Sequence, residues 1–180
     1  MDMLAHIRLM ANYNRWMNGK CFDAAAKLPH DAVTADRGAY FQSILGTLNH
    51  LCVVDIVWLR RFAKHSAAYS PLDGLRDFPE ITSLRQSIAE ALPPLRIRRG
   101  ELDAMVSAWA EAIQAQDLDY SLEFETMAGE PSRKNFGSLV LNLFNHQTHH
   151  RGQLTTLLTQ AGVDVGVTDL YALIPNEASA

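Results

Sequence analysis

His146, His149 and His150 fall within five residues of one another in the apolar stretch FGSLVLNLFNHQTHHRGQLTTLLTQ, residues 136–160. Neutral imidazole is a good ligand for divalent transition metals, so the first question is whether two of these rings can reach one ion. At ~100° per residue, His150 lies about 40° round a helix from His146 and one turn further along. Spacing alone leaves His149 equally eligible. Helical phase separates them: with His146 at zero, Leu139, Leu143, His150 and Leu157 fall between roughly +20° and +60°, and His149 near −60°. His150 points with the leucines, and His149 leans toward the flank. An i, i+4 histidine pair is only moderately specific, and a single histidine in an amphipathic helix is more often a hydrogen-bonded core or rim residue.

A third ligand has a natural source. Residues Phe41 to Phe62 read as a helix that is apolar nearly all round, and His50 sits at its centre with Thr47, Val54 and Trp58 on the same face. His50, His146 and His150 together form the candidate metal site. Gln153, about 20° from the His146 face, is a candidate support for the ligands, as are Thr47 and Arg151. Arg151 could neutralise an acidic cofactor or substrate, although beside a helix seam it reads first as a surface cation. Gly152 costs its helix roughly 1 kcal/mol relative to Ala, which a close helix contact would explain. Three imidazoles suit zinc or nickel, and also iron or manganese. Three protein ligands leave a position open for water or substrate, as in catalytic zinc sites. The metal would lower the pKa of a bound thiol or water, giving a nucleophile for a small electrophilic molecule.

The elements that must position these residues follow from periodicity and breakers. His6 to about Leu28 forms a first amphipathic helix on Ile7, Met10, Tyr13, Met17 and Cys21; Tyr13-Asn14-Arg15-Trp16 within it reads as core packing. Pro29 stops it, and His30 to Gly38 reads as a loop. The Phe41–Phe62 helix starts near Ser43 and ends in Arg60-Arg61. A long connection from Ala63 to Pro79 fits a parallel rather than hairpin relation with the next helix. That third region spans about Ile81 to Ala115 with a break or kink at Pro93-Pro94. Its Leu95–Ala115 portion faces Leu102, Met105, Val106, Trp109 and Ile113 inward. Alternation at Tyr120–Phe124 and the turn Ala128-Gly129-Glu130-Pro131 predict a short hairpin before the fourth helix, which Gly162 caps. The tail from Val163 frays beyond Asp169-Leu170-Tyr171. The expected architecture is all-α, a four-helix bundle in one domain spanning residues 1–180, of a kind that places metal sites between facing helices.

Composition bounds the function. The chain has 180 residues, 48% hydrophobic and 20% charged, with a net charge of −4, so a broad basic surface for nucleic acid or anionic membrane is not expected. The cluster Arg96, Arg98 and Arg99 reads as a solvated face. The opening Met-Asp-Met-Leu-Ala-His-Ile-Arg carries charge through what would be the apolar part of a signal peptide, which predicts a cytoplasmic protein. Two cysteines, Cys21 and Cys52, do not make a disulfide framework and read as reduced core residues. His6, His30 and His65 read as solvated.

At these residues the chain resembles the DinB-like (YfiT-like) metalloenzymes. The resemblance rests on Tyr13-Asn14-Arg15-Trp16, on Thr47-Leu48-Asn49-His50-Leu51 with Asp55 and Trp58 following, and most specifically on His146-x-x-x-His150-Arg151-Gly152-Gln153. It implies an up-down-down-up four-helix bundle, usually a homodimer, with a divalent metal on His50, His146 and His150. Relatives with known activity use a low-molecular-weight thiol such as mycothiol, bacillithiol or glutathione in transfer or isomerisation, and the family's DNA-damage-inducible label describes regulation.

Other classes are weaker. No Glu-x-x-His pair suggests a di-iron site, no His-Glu-x-x-His a zincin protease, and no glycine-rich motif a nucleotide site. The competitor is a non-catalytic metal-binding or dimeric interaction bundle. A closed structural site would need a fourth protein ligand, Asp55 or His149, and Asp55 lies about 140° round from His50.

Overall fold

The computed structural model describes residues 2–176. The chain is mostly helical, with four long helices around a common hydrophobic core and one two-stranded sheet among the described residues. Helix α1 spans Met3–Ala25, with the Asp2 carboxylate accepting from the Ala5 amide. A short helix α2 spans His30–Thr34, α3 spans Ile44–Phe62, α4 spans Leu92–Ala112 and α5 spans Phe136–Gln160. Side-chain caps open two of them: Ser43 accepts from Gly46 N at the start of α3, and Asn135 from Ser138 N at the start of α5, satisfying amides with no partner inside the helix. Gly162, at φ +83°, closes α5: its N–H reaches Thr159 O and that of Val163 reaches Leu158 O.

The buried positions of each long helix recur at alternating spacings of three and four. On α1 they are Ile7, Ala11, Asn14, Asn18, Cys21 and Ala25; on α4, Leu95, Arg99, Leu102, Val106 and Trp109; on α5, Val140, Phe144, Gln147, Arg151, Leu154 and Leu158. This is the seam pattern of helices packed side by side at shallow angles. Side-chain pairs give the relative directions. Arg8 with Glu111, Asn18 with Asp103 and Asp23 with Arg96 make α1 and α4 antiparallel. Asp55 with Arg99 and Phe62 with Trp109 make α3 and α4 parallel. Gln147 with Leu51 and Phe136 with Phe62 make α3 and α5 antiparallel.

Several expectations are corrected. Residues 30–34, expected as loop, form α2, because Pro29 ends one helix and supplies the extended residue before the next, whose Val33 enters the core. The third helix begins only at Leu92, and Pro93-Pro94 sit in its first turn, where a missing amide costs nothing; there is no kink, and residues 81–91 cross the molecule as irregular chain. The connection after α3 contains a 3₁₀ segment, Ser70–Asp77, that buries Leu72 and Leu75. His65 is not solvated: its Nδ1 accepts from Ala67 N and its ring packs against Tyr69, Tyr120 and Phe136. Arg99 is buried, while Arg96 stays exposed. Gly152 makes no close helix contact, since a Cβ there would meet nothing within 4 Å, and nothing in the structure explains it.

The expected hairpin is present as β1 (Ser121–Glu125) and β2 (Pro131–Asn135), antiparallel with Phe124 opposite Ser132 and Gly129 at φ +79° in the turn. Cys21 and Cys52 are buried and unbridged. The segment after α5 packs back on the core through Val163 and a 3₁₀ turn at Leu170–Leu173, and Tyr13 donates to Thr168 O; the last residues of the expected fraying tail, 177–180, lie outside the described residues. No described helix is long and apolar enough to cross a membrane.

Candidate metal centre

The middle of α3 meets the middle of α5, and there His50, His146 and His150 converge. Each offers one ligand atom, and the three atoms lie within 4.8 Å of one another. Ring centroids are 5.2 Å apart for His50 and His146, 4.5 Å for His50 and His150, and 4.3 Å for His146 and His150. His50 is almost fully buried and the other two are half-buried, so the cluster has a closed side and a side nearer solvent.

The outer contacts orient the rings. A carbonyl can only accept, so His50 Nδ1–H donates to Leu84 O at 2.9 Å, and its Nε2 lone pair turns inward, buried without a partner. Likewise His150 Nδ1–H donates to Gln153 Oε1 at 2.7 Å, which frees its Nε2. The Gln153 amide nitrogen in turn contacts His149 Nε2 at 3.2 Å. His146 Nδ1 is buried with no hydrogen-bond partner. Phe41 closes one side, stacked on His50 at 3.7 Å between centroids and edge-on to His150 at 5.4 Å. The irregular segment 81–91 holds the Leu84 carbonyl in place. Asn49, beside His50, clamps that segment by accepting from Ile88 N and Ala89 N and donating to Ala89 O.

All three imidazoles are held neutral. Burial lowers His50 to about 4, against an upward pull from the Leu84 carbonyl. Burial, then the neighbouring imidazoles, lowers His146 to about 3, and burial lowers His150 despite the Gln153 contact. Neutral nitrogen is the form that binds a metal. Two orphaned buried nitrogens among three convergent, unprotonated rings are therefore a donor set that fits one divalent ion.

The other predicted residues are placed as follows. Gln153 touches two histidines directly. Thr47 is buried, and its hydroxyl donates to Ser43 O rather than to an imidazole. Arg151 is not a surface cation: it is buried, points away from the histidines toward α1, donates to Asn14 Oδ1 and lies over the Tyr13 ring. Asp55 pairs with Arg99 at 2.7 Å and is turned from the site, and exposed His149 stands outside the three-ring cluster, so neither closes the shell.

Sequence reading missed a buried polar layer beside the site. Gln147 donates to Leu51 O at 3.0 Å and to Asp55 Oδ1; Asp55 pairs with Arg99; Arg99 lies 3.2 Å from Asp103; Asp103 accepts from Asn18 at 2.8 Å. The same three-and-four spacing that marks the leucines includes Arg99, Gln147 and Arg151, and that was the available signal.

A mostly helical chain with three imidazoles meeting between two of its long helices defines a recognisable class of protein. The chain belongs to the DinB family, whose model matches residues 3–177. It is 25% identical to "Protein DinB" of Bacillus subtilis (strain 168) over 159 residues, 87% of each chain. It is 39% identical to "Uncharacterized protein YrdA" of the same organism over 59 residues, 33% of this chain and 35% of that one. No solved structure matches it.

Proposed function

We propose that this chain is a metal-dependent enzyme in which His50, His146 and His150 hold one divalent transition metal, zinc or nickel foremost, and in which a low-molecular-weight thiol or water is activated for transfer to a small electrophilic molecule. The observation that carries the reading is the convergence of three neutral imidazoles with two buried nitrogens lacking any protein partner. A bound divalent metal would supply Lewis acidity, lowering the pKa of a thiol or water brought to it. The chain's own part is orientation: Leu84 O and Gln153 fix two ring tautomers, and Phe41 screens the buried side from solvent. A cleft of about 230 Å³, lined by Phe41, Asn49, Arg85 and Glu90 among others, adjoins the site across the Phe41 ring and could admit a small polar molecule.

The same reading takes the four long helices as an up-down-down-up bundle, supported by the pair directions above, within a single domain of a cytoplasmic homodimer. A second reading, a non-catalytic metal-binding bundle, draws support from Phe41 itself, which stands between the cleft and His50.

Elemental analysis of tag-free protein tests both. About one equivalent of transition metal is expected in the wild type and in His149→Ala, and its loss in His50→Ala, His146→Ala and His150→Ala. Wild type that holds no metal and refuses added zinc and nickel overturns both readings. Metal retained with no turnover in a screen of thiol acceptors and hydrolysable esters leaves the second.

A further inference from the structure

The buried polar layer beside the histidines is unexplained by metal ligation, and its placement is regular. Gln147 follows His146 and Arg151 follows His150, so α5 carries two adjacent i, i+4 stripes, one of imidazoles and one of hydrogen-bonding groups. Leu51, whose carbonyl accepts from Gln147, likewise follows His50. From Gln147 the contacts run to Asp55 on α3, Arg99 and Asp103 on α4 and Asn18 on α1, and return to α5 through Arg151, whose guanidinium lies 3.5 Å from Asn18 Oδ1 and donates to Asn14 Oδ1. The circuit touches all four long helices, and its charges balance: two carboxylates, Asp55 and Asp103, and two guanidiniums, Arg99 and Arg151.

Such a layer is a poor source of stability, because desolvating charges offsets most of what their pairing gains, and apolar residues of like volume often serve as well. Directional hydrogen bonds do what leucine packing does poorly: they select one register and one roll of each helix. The metal site depends on that selection. A side-chain tip about 5–6 Å from the helix axis moves by about 2 Å when the helix rolls by about 20°, whereas metal–nitrogen distances must hold to about 0.2 Å.

We propose that Gln147 and Arg151 are positioning residues: by binding α3 and α1 through Leu51, Asp55 and Asn14, they fix the roll of α5 that brings His146 and His150 to His50. The inference rests on the metal-site reading above and adds to it which residues set the site's geometry.

The test uses cobalt(II) as the probe on the full chain, reading its dissociation constant and the visible absorption of the bound ion, with thermal unfolding of the metal-free protein alongside. Gln147→Met keeps volume and removes the amide. Cobalt affinity is expected to fall 10- to 100-fold, the range seen when groups supporting metal ligands are lost, with an altered spectrum, while the unfolding temperature of the metal-free protein stays within about 5 °C. Leu139→Ala, on the same helix and outside the circuit, is expected to lower the unfolding temperature yet keep affinity within about twofold. Should Gln147→Met fail to fold, Gln147→Asn, which keeps the amide but shortens its reach, carries the same expectation. Wild-type affinity and spectrum in the Gln147 variant, or affinity losses in both variants that merely track stability, overturn the positioning role. Failure of the wild type to bind cobalt overturns instead the metal-site reading beneath it.

Discussion

Removing Arg99 probes the buried layer most directly. The guanidinium lies 2.7 Å from Asp55 and 3.2 Å from Asp103, with both carboxylates and the arginine shielded from water. Burial works against the arginine's charge, but the two carboxylates outweigh it and hold its pKa above the ordinary value. Burial pushes both carboxyl groups up, against the pull of Arg99. Arg99→Met fills much of the same space and leaves two buried carboxylates without their shared cation. Breaking a buried pair from one side costs about 3–5 kcal/mol. Because Gln147 still donates to Asp55 and Asn18 to Asp103, the lower half of that range is expected, a shift on the order of 1–2 M in the urea midpoint. The loss must also depend on pH. In the variant the folded-state carboxyl pKa values rise further above the unfolded value of about 3.9, so the folded state binds more protons than the unfolded one between those limits. Stability contributed that way is present at low pH and lost as pH rises, so the gap from wild type should be widest near pH 7 and narrow toward pH 5. Urea titrations of both proteins at the two pH values are the assay. A penalty below about 1 kcal/mol at pH 7, or one that ignores pH, would refute the view that Arg99 compensates buried charge.

Other outcomes follow from the same geometry. The depressed pKa values of His50, about 4, and His146, about 3, mean that metal-free protein loses stability as pH falls from about 6.5, because the unfolded chain takes up protons that the folded rings refuse. Chemical denaturation of His146→Gln should show a flatter slope over that window than wild type. Adding zinc to about 100 times its dissociation constant should stabilise the wild type by about 2.7 kcal/mol, raising the unfolding temperature by roughly 5–10 °C, with no shift in His150→Ala. Gln153→Leu removes the acceptor that orients His150 and should weaken zinc binding about 10-fold without loss of stoichiometry, read by competition with a chromophoric chelator. Gly46→Ala should destabilise by more than 1 kcal/mol, since its Cβ would lie 2.1 Å from the Phe41 carbonyl oxygen at the start of α3, a backbone contact that cannot yield as a side chain would; a wild-type urea midpoint would show that Phe41 is free to move.

What the sequence determined by itself is local. The phase of His146 and His150 among leucines, the apolar helix around His50 and its start near Ser43, the cap at Gly162 and the hairpin before α5 all depend on neighbours within a turn or two, where spacing translates directly into geometry. That His150 rather than His149 turns toward His50 and His146 was legible for that reason. Where local signals were ambiguous the reading failed: Pro93-Pro94 is compatible with a kink or with a helix start, and only the packing of residues 81–91 over His50 shows that the helix begins there. The partners of the buried polar residues were beyond reach. Gln147 and Asp55 are 92 residues apart, Arg151 and Asn14 are 137 apart, and nothing near any one of them names the other. An arginine in a helix is by default a solvated residue, so Arg99 and Arg151 looked like surface cations until the fold supplied the carboxylate and amide oxygens that let them be buried. The tertiary structure decided which polar groups face one another, because desolvation makes such groups tolerable inside only when their partners arrive from elsewhere in the chain.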